Sequence, residues 1–387
     1  MSAEPSSAEA EPTPVPPRSG GLAEQLDRHT TVGQLWRPEG SKVRCFACAH
    51  RCLIPEGARG VCKVRFNADG QLRVPFGYVT GLACDPIEKK PFFHVYPGSD
   101  ALTFGMLGCD FHCGYCQNWL TSQALRDPDA DVRFSATTPE QIVAVARRYG
   151  APTIVSSYNE PLITAEWAAA VFAPAQEAGL LCGFVSNGNA TSEALDFLKP
   201  WLSLYKIDLK CFDDRHYRGL GGTLRAVTDT IRMVVERGLW LEVVTLVVPG
   251  FNDSEAELRQ IAGFLASASR DIPWHVNAFH QDYRMTEPAN TSAAQLIRAA
   301  EIGVEASLRF VYAGNLPGRL GRWENTYCPS CGDLLVERVG FKVRQLRITA
   351  EGRCPACAAI IPGRWNHRAS ADFAGEPAHL PEARHFH

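Results

Sequence analysis

The chain has 387 residues, of which 45% are hydrophobic and 21% are charged, and its formal net charge is −3 at pH 7. This composition is typical of a globular protein with one large domain and small appendages, and the lack of a basic excess argues against nucleic acid or an anionic membrane as a partner. The sequence contains neither a run of about 18 apolar residues nor the apolar core of a secretory signal, so we expect a cytoplasmic protein without a membrane span.

The predicted elements begin with a disordered extension over residues 1–22, which is rich in Pro, Ser, Ala and Glu. A Cys-rich module follows over 23–98. Between 99 and 318, short apolar runs alternate with amphipathic segments of about ten to fifteen residues. The predicted strands are 101–107, 152–158, 180–188, 202–210, 239–250, 273–279 and 308–314. The predicted helices are 139–150, 165–178, 192–200, 224–238, 254–265 and 292–303.

This alternation predicts βαβ units and a parallel sheet. The expected fold class is α/β, a partial (β/α)6 barrel of the TIM type that is closed or partly open. In such a barrel the residues at the carboxyl ends of the strands line the site. An open doubly wound sheet is the alternative that the pattern leaves. A small Cys-rich module at 319–365 and a loose tail at 366–387 complete the predicted organisation.

The 14 cysteines are not expected to form disulfides, because cytosolic thiols are kept reduced. Most of them fall into three groups with short gaps, which is the pattern of thiolate metal ligands. The groups are Cys45, Cys48, Cys52 and Cys62; Cys109, Cys113 and Cys116; and Cys328, Cys331, Cys354 and Cys357. Cys84, Cys182 and Cys211 stand alone and are predicted to be buried apolar thiols.

The central group lies in the loop GCDFHCGYCQN, directly after the first predicted barrel strand. Three thiolates at C-x3-C-x2-C spacing suit three irons of a cubane cluster, whereas four cysteines are the usual complement. The remaining iron is then open to a substrate, as in catalytic metal sites. A zinc site completed by a distant ligand such as His112 is the alternative.

The same loop resembles the signature of the radical S-adenosylmethionine (SAM) superfamily, with an aromatic residue, Tyr115, before the last cysteine. The resemblance implies a [4Fe–4S] cluster on Cys109, Cys113 and Cys116 that cleaves SAM to a 5′-deoxyadenosyl radical. It also implies that Glu160, in the segment SSYNEP, accepts a hydrogen bond from the SAM amino group. The family usually has two glycines before this glutamate, where this chain has Tyr-Asn.

The segments VSNG and KIDLK resemble the activating enzymes of glycyl-radical proteins. By that resemblance Asn187 lies near the SAM ribose or methionine, and Asp208 and Lys210 face the site and pair there. The alternative for Asp208 and Lys210 is an ion pair with a merely structural role. Those enzymes have an aspartate where this chain has Val185, so any bound cation that depends on that aspartate is in doubt here. His275 corresponds to a histidine used near SAM. His280 and Tyr283 occupy positions where a substrate approaches, although His280 is equally well explained as a structural histidine.

The two flanking groups predict further metal sites. Cys328, Cys331, Cys354 and Cys357 form two knuckles typical of a zinc ribbon, and a rubredoxin-like iron would use the same ligands. Cys45, Cys48, Cys52 and Cys62 are less regularly spaced, with His50 also in reach, and hold either zinc or an auxiliary iron–sulfur cluster.

Residues 40–365 together resemble the radical SAM enzyme of the AmmeMemoRadiSam system, a relative of pyruvate formate-lyase activating enzymes. The function predicted first is hydrogen abstraction from a protein or peptide, and radical chemistry on a small molecule, by a lyase or mutase, is the alternative. A non-enzymatic zinc scaffold is the third. The resemblance implies an electron donor such as flavodoxin or ferredoxin, and Memo-like and AMME-region-like proteins as candidate partners.

Overall fold

The computed structural model describes residues 21–127 and 132–366. The predicted extension lies outside the described residues except for 21–22, and the predicted tail lies outside them except for 366. Within the described ranges, no helix is long and apolar enough to cross a membrane.

The N-terminal part consists of short strands that pair antiparallel. Its elements are α1 (Leu22–Asp27), β1 (Thr30–Val32), β2 (Trp36–Glu39), β3 (Lys42–Cys45), β4 (Leu53–Ile54), β5 (Phe66–Ala68), β6 (Gln71–Pro75), β7 (Tyr78–Val79) and β8 (Gly81–Pro86), followed by a 3-10 turn at Ile87–Lys89. Two small sheets result, in the orders β1-β6-β5 and β2-β3-β4. Their apolar side chains join the same core as the central sheet, so this part packs directly on the rest of the protein.

The central part alternates strands and helices. Its elements are β9 (Asp100–Gly105), α2 (Trp119–Ser122), β10 (Ser135–Ala136), α3 (Pro139–Arg148), β11 (Thr153–Ser156), α4 (Ala165–Glu177), β12 (Leu181–Ser186), α5 (Ser192–Leu198), β13 (Leu204–Asp208), α6 (Asp214–Leu220), α7 (Leu224–Glu236), β14 (Trp240–Val247), α8 (Glu255–Ala268), β15 (Trp274–Ala278), α9 (Ala293–Glu305) and β16 (Val311–Gly314). Every predicted strand and helix of this region is confirmed.

Local sequence explains where these helices begin. α3 starts with a capping box in which Thr138 and Gln141 satisfy each other's backbone N–H groups, and α9 starts with the same box at Ser292 and Gln295. The helices then turn their apolar faces toward the sheet. The strands between them are buried along most of their length, as expected for parallel strands covered on both faces.

The central sheet has the order β16-β15-β14-β13-β12-β11-β9-β8. The seven strands β9 and β11–β16 are parallel, whereas β8 is antiparallel to β9. Because β8 and β16 are the two edges and do not pair with each other, the sheet forms the partly open barrel that the sequence predicts. All the carboxyl ends of the parallel strands meet at one edge of the sheet.

The C-terminal part packs against the open side of this barrel. It contains a 3-10 turn at Gly321–Glu324 and the sheet β17 (Thr326–Tyr327), β18 (Leu334–Val339) and β19 (Lys342–Leu346). Arg364 forms a parallel bridge with Val95, and the buried Arg338 lies 3.5 Å from the buried Glu88. The C-terminal part is thereby anchored to the segment that follows β8.

Candidate active site

The cysteine loop follows β9 at the carboxyl edge of the parallel strands. Cys113 is 7% exposed, and Cys109 and Cys116 are half-buried. The Cys109 sulfur accepts a hydrogen bond from the Phe111 N–H at 3.4 Å, and the Cys116 sulfur lies 3.2 Å from the Ser122 hydroxyl. Hydrogen bonds to sulfur tune iron–sulfur clusters, so these contacts suit cysteines that would ligate such a cluster.

The described residues do not bring the ligand atoms of the alternative zinc site with His112 to the spacing of a single ion. A tetrahedral zinc ion draws its ligand atoms to within about 4 Å of one another. No three ligand atoms of the loop cysteines and His112 lie within 4.8 Å of one another. The His112 ring instead lies against Gly221, where an added Cβ would be 2.7 Å from Nδ1 of His112.

Asp110, which the sequence analysis did not single out, fixes the position of the loop. Its buried carboxylate accepts hydrogen bonds from the side-chain amides of Asn187 at 2.7 Å and Asn189 at 2.8 Å. Its backbone carbonyl lies 3.2 Å from Nε2 of His50. The available signal was an acidic residue inside the cysteine motif together with the N-G-N turn after the third barrel strand.

Glu160 follows β11 and is only 2% exposed. Its carboxylate accepts hydrogen bonds from the Ser186 hydroxyl at 2.7 Å, the Asn187 N–H at 2.7 Å and the Leu162 N–H at 3.1 Å. Burial, and next the nearby carboxylate of Asp110, raise the pKa of Glu160. The side chain therefore connects the ends of β11 and β12 beside the cysteine loop.

Tyr158 stands where the resemblance expects a glycine. Its φ of +70° lies in the left-handed region that glycine adopts without strain. Gly105 provides the space, because an added Cβ there would lie 2.9 Å from the Tyr158 Cβ. The Tyr158 hydroxyl accepts a hydrogen bond from the Lys90 ammonium at 3.0 Å. The backbone conformation of a glycine turn is thus present without the glycine.

Charged groups at the end of β13 face Tyr115. The ammonium group of Lys206 donates to the Asp208 carboxylate, and that of Lys210 lies 3.6 Å from its other oxygen. Burial alone would raise the pKa of Asp208, but these two cations hold it below its usual value. The Lys210 nitrogen is 6.0 Å from the centre of the Tyr115 ring, which packs edge-on against Phe251. Lys206, not singled out from sequence, shares the strand parity of the other two.

A cavity of about 830 Å³ lies next to the loop, at the open side of the barrel. Its walls come from the segment after β8, from β15 and β16, and from the β18–β19 hairpin, and they include Gln117, Asn277 and Phe341. Nε2 of His280 lies 2.9 Å from the Gln117 side-chain nitrogen. His280 therefore lines this cavity and contacts the cysteine loop.

His275 also lines the cavity but lies near the amino-terminal end of β15. Its Nε2 is 2.7 Å from the carboxylate of the buried Glu242, which also accepts the backbone N–H groups of Phe93 and His94. Burial lowers the pKa of His275 despite this neighbouring carboxylate. The structure thus places His275 in a buried network and His280 beside the cysteine loop.

The segment after β15 covers part of the loop. The Tyr283 ring stacks on Trp119 with the ring centres 5.0 Å apart, and its hydroxyl donates to Asp127 at 2.6 Å. The Arg284 N–H donates to the Gly114 carbonyl at 3.0 Å. These contacts hold the segment after β15 against the loop and the residues that follow it.

The C-terminal cysteines form a compact set. The sulfurs of Cys328 and Cys357 are 3.6 Å apart, those of Cys331 and Cys354 are 3.7 Å apart, and all four ligand atoms lie within 4.8 Å of one another. Cys328 and Cys354 are buried, whereas Cys331 and Cys357 are exposed. This arrangement fits a single tetrahedral metal ion.

The N-terminal cysteines lie behind the central loop. Cys45, Cys48 and Cys62 are buried and Cys52 is half-buried. Burial, and then the charges of Asp110, Cys45 and Cys62, raise the pKa of Cys48, so these groups are close to Cys48. The N-terminal set thus adjoins the central cysteine loop.

The three remaining cysteines differ from one another. Cys182 is fully buried, as predicted, whereas Cys84 on the edge strand β8 is only half-buried, so that prediction was wrong. Cys211 is also fully buried, but it is not isolated: its sulfur lies within 4.8 Å of ligand atoms of His216 and Glu257. This grouping could not be predicted from the sequence, because Glu257 lies far from Cys211 along the chain, on α8.

Known proteins resemble this chain over its centre and over most of its length. A family model described as "Radical SAM superfamily" matches residues 104–262. The "Uncharacterized protein MJ0808" of Methanocaldococcus jannaschii is 38% identical over 326 residues, which are 84% of this chain and 96% of that protein. The pyruvate formate-lyase-activating enzyme of Staphylococcus aureus is 24% identical over 186 residues, 45% of this chain and 72% of that protein. Among solved structures, a domain of the pyruvate-formate lyase-activating enzyme from Bacteroides vulgatus covers 42% of this chain and 98% of its own, with 22% sequence identity and a TM-score of 0.37.

Proposed function

The chain belongs to the radical SAM superfamily, and on this premise we propose that it removes a hydrogen atom from a protein or peptide substrate. The observation that carries the proposal is the loop with only Cys109, Cys113 and Cys116, at the carboxyl edge of the barrel, which leaves one position of a cluster for SAM. A cluster held by these three cysteines would supply the electron for reductive cleavage of SAM to a 5′-deoxyadenosyl radical.

The protein's own residues position these groups. Asp110 and Asn187 hold the cysteine loop against the end of β12, and Glu160 holds the end of β11 beside it. Asp208 is 31% exposed and stays ionised between two cations, so its carboxylate is suited to accept hydrogen bonds from hydroxyl or ammonium groups of SAM. We propose that these groups orient SAM above the cysteines.

Two candidate substrate classes differ in their support. Similarity to the Staphylococcus aureus activating enzyme, whose name describes action on another protein, favours a protein or peptide. The cavity of about 830 Å³ beside His280 has the size of a small-molecule site and favours the alternative, a lyase or mutase reaction. Either substrate would approach from the open side of the barrel.

SAM cleavage is the direct test of the chemistry. We expect anaerobically reconstituted protein to release 5′-deoxyadenosine on reduction, and we expect Cys113→Ala to abolish the release because it removes a cluster ligand. Cys84→Ala, a change on the edge strand β8, is the matched control and should retain activity. Reconstituted, reduced protein that cleaves no SAM would refute the proposal.

Deuterium transfer distinguishes the two substrate classes. Extract from cells grown in deuterated medium is separated by size into protein and small-molecule fractions, and each fraction is added to the reduced enzyme with unlabelled SAM. Deuterium in 5′-deoxyadenosine from the protein fraction alone supports the first proposal. Deuterium from the small-molecule fraction alone supports the lyase or mutase and overturns the first proposal.

A further inference from the structure

The three cysteine groups differ in how closely their sulfur atoms approach one another. Thiolates that share one tetrahedral ion at about 2.3 Å from the metal lie about 4 Å apart. The C-terminal group meets this condition, with sulfur pairs at 3.6 Å and 3.7 Å. The C-terminal group therefore provides an internal reference for a site that binds a single ion.

The N-terminal group does not meet this condition. Among the described residues, no three of the sulfurs of Cys45, Cys48, Cys52 and Cys62 lie within 4.8 Å of one another. The cysteines of the central loop share this wider spacing. Thiolates bound to different irons of one cluster must be farther apart than thiolates on one ion, so the N-terminal group lacks the spacing of a single-ion site, as the central loop does.

The two turns that carry the N-terminal cysteines nevertheless lie against each other. The Cys45 N–H donates to the Cys52 carbonyl at 2.9 Å, which brings the two ends of the first turn together. The Val61 N–H points at the Cys52 sulfur at 3.5 Å, so the second turn, which carries Cys62, lies against the first. A backbone N–H directed at a sulfur is the contact that tunes cluster thiolates.

This group lies directly against the central cysteine loop. His50, between two of the N-terminal cysteines, lies 3.2 Å from the Asp110 carbonyl, and the Ala49 N–H donates to the Asn189 carbonyl at 2.8 Å. A Cβ added at Gly108, just before Cys109, would lie 3.1 Å from the Cys62 carbonyl oxygen. No other element separates the two turns from the loop at these contacts.

We infer that Cys45, Cys48, Cys52 and Cys62 bind a second iron–sulfur cluster, not a zinc ion, and that this cluster passes electrons to the one on the central loop. Four thiolates complete the ligand set of such a cluster, so no iron is left to bind a substrate. Its contacts with the central loop suit electron transfer between the two clusters.

The transfer is a single-electron exchange. A one-electron reductant of the ferredoxin or flavodoxin class reduces the N-terminal cluster, which then returns to its oxidised state as the central cluster gains that electron. No bond forms and no proton moves in this step. The electron-transfer role rests on the proposed function, whereas the identity of the N-terminal metal site does not.

Inorganic sulfide tests the identity of the site, because a mononuclear site contains none. A triple variant, Cys109→Ala, Cys113→Ala and Cys116→Ala, is reconstituted anaerobically with iron and sulfide, and both are counted. We expect about two to four sulfides per chain to remain. Complete loss of sulfide in folded triple variant, with only single metal ions left, would overturn the inference.

A second variant covers the case in which the triple variant does not fold. Because three cysteines suffice for the central cluster, this second variant changes two N-terminal ligands, Cys48→Ala with Cys52→Ala, and we expect it to lose part of the iron and sulfide of the wild-type protein but to keep its circular dichroism spectrum. Equal iron and sulfide contents in the folded double variant and in the Cys84→Ala control would overturn the inference.

The electron-transfer role has its own readout. With SAM present and reduced flavodoxin as donor, we expect the central cluster of the variant Cys48→Ala with Cys52→Ala to be reduced at least tenfold more slowly than that of wild type, as followed by electron paramagnetic resonance. Unchanged reduction in a variant that has lost the N-terminal sulfide would overturn the role. Failure of the proposed function is distinct, because wild-type protein would then show both clusters but release no 5′-deoxyadenosine.

Discussion

Asn187 donates its side-chain amide to Asp110 at 2.7 Å, which joins the end of β12 to the residue after the first cysteine of the central loop. Asn189 donates to the other oxygen of the same carboxylate at 2.8 Å. Asp110 is completely buried, so water cannot replace it as the acceptor for either amide. One carboxylate thus holds two strand-end amides against the cysteine loop.

Asp110→Ala is therefore expected to lower the free energy of unfolding by about 3 kcal/mol, because it leaves two buried donors without acceptors. Urea unfolding under anaerobic conditions measures this loss. Asp229→Ala, on the exposed surface of α7, is the matched control and should change the value by less than about 0.5 kcal/mol. Equal midpoints for the two variants would contradict this role for Asp110.

The buried ion pair between Arg65 and Glu166 gives a second prediction. Their side chains are 1% and 3% exposed, and two hydrogen bonds of 2.6 Å and 2.9 Å join them. Arg65→Met leaves the carboxylate buried without its cation, which we expect to cost about 3–5 kcal/mol in the free energy of unfolding.

The double variant Arg65→Met with Glu166→Gln is the test of this cause. Since it removes both charges but keeps an oxygen that accepts the backbone N–H groups of Gln34 and Leu35, it should be destabilised less than Arg65→Met alone when both are unfolded in urea. A double variant that loses the sum of the two single effects would show that the ion pair does not account for the cost.

The C-terminal metal site is predicted to stabilise the protein without taking part in SAM cleavage. Cys331→Ala removes one of four ligands, so we expect the loss of one metal ion per chain and a lower melting temperature, with inorganic sulfide unchanged. Metal analysis and differential scanning calorimetry measure both effects. Loss of SAM cleavage in Cys331→Ala protein that remains folded would contradict this assignment.

Acid is predicted to destabilise the protein through His94. Its Nδ1 lies 2.7 Å from the Pro362 carbonyl and its Nε2 lies 2.7 Å from the Tyr312 hydroxyl, and burial lowers its pKa to about 4. The unfolded chain takes up this proton near pH 6.5, whereas the folded protein does so only near pH 4. Its contribution to stability is therefore complete above pH 6.5 and is lost as the pH falls toward 4.

At pH 5 this linkage amounts to about 2 kcal/mol. The free energy of unfolding of wild-type protein should fall more steeply between pH 7 and 5 than that of His94→Gln, which cannot titrate there. Because metal loss in acid affects both proteins, the difference between their slopes isolates the histidine. Parallel slopes would exclude His94 as the cause.

The sequence predicts the barrel well because its strands and helices differ in length and apolar period. It does not reveal β8, whose residues are mostly half-buried or exposed and lack an apolar run. It also misses α6, a short and largely polar helix. Both elements depend on tertiary contacts more than on their own pattern.

The candidate site shows the same limit. Cys109, Cys113 and Cys116 could be found because their spacing is local, and the family that this spacing indicates is confirmed. Asp110 could not be assigned a role, because its partners are 77 and 79 residues away in the chain. His275 lies near the amino-terminal end of β15, whereas the segment containing His280 follows its carboxyl-terminal end. This separation likewise could not be predicted before the ends of the strand were known.

The left-handed turn at Tyr158 bears on how relatives of this chain should be sought. A search pattern that demands a small residue at this place would discard the protein, although its main chain traces the same path. The bulk of the tyrosine is accommodated by Gly105 on the neighbouring strand. Searches that score the torsion angle, or that allow the missing glycine to reappear on the adjacent strand, would recover members that a linear motif rejects.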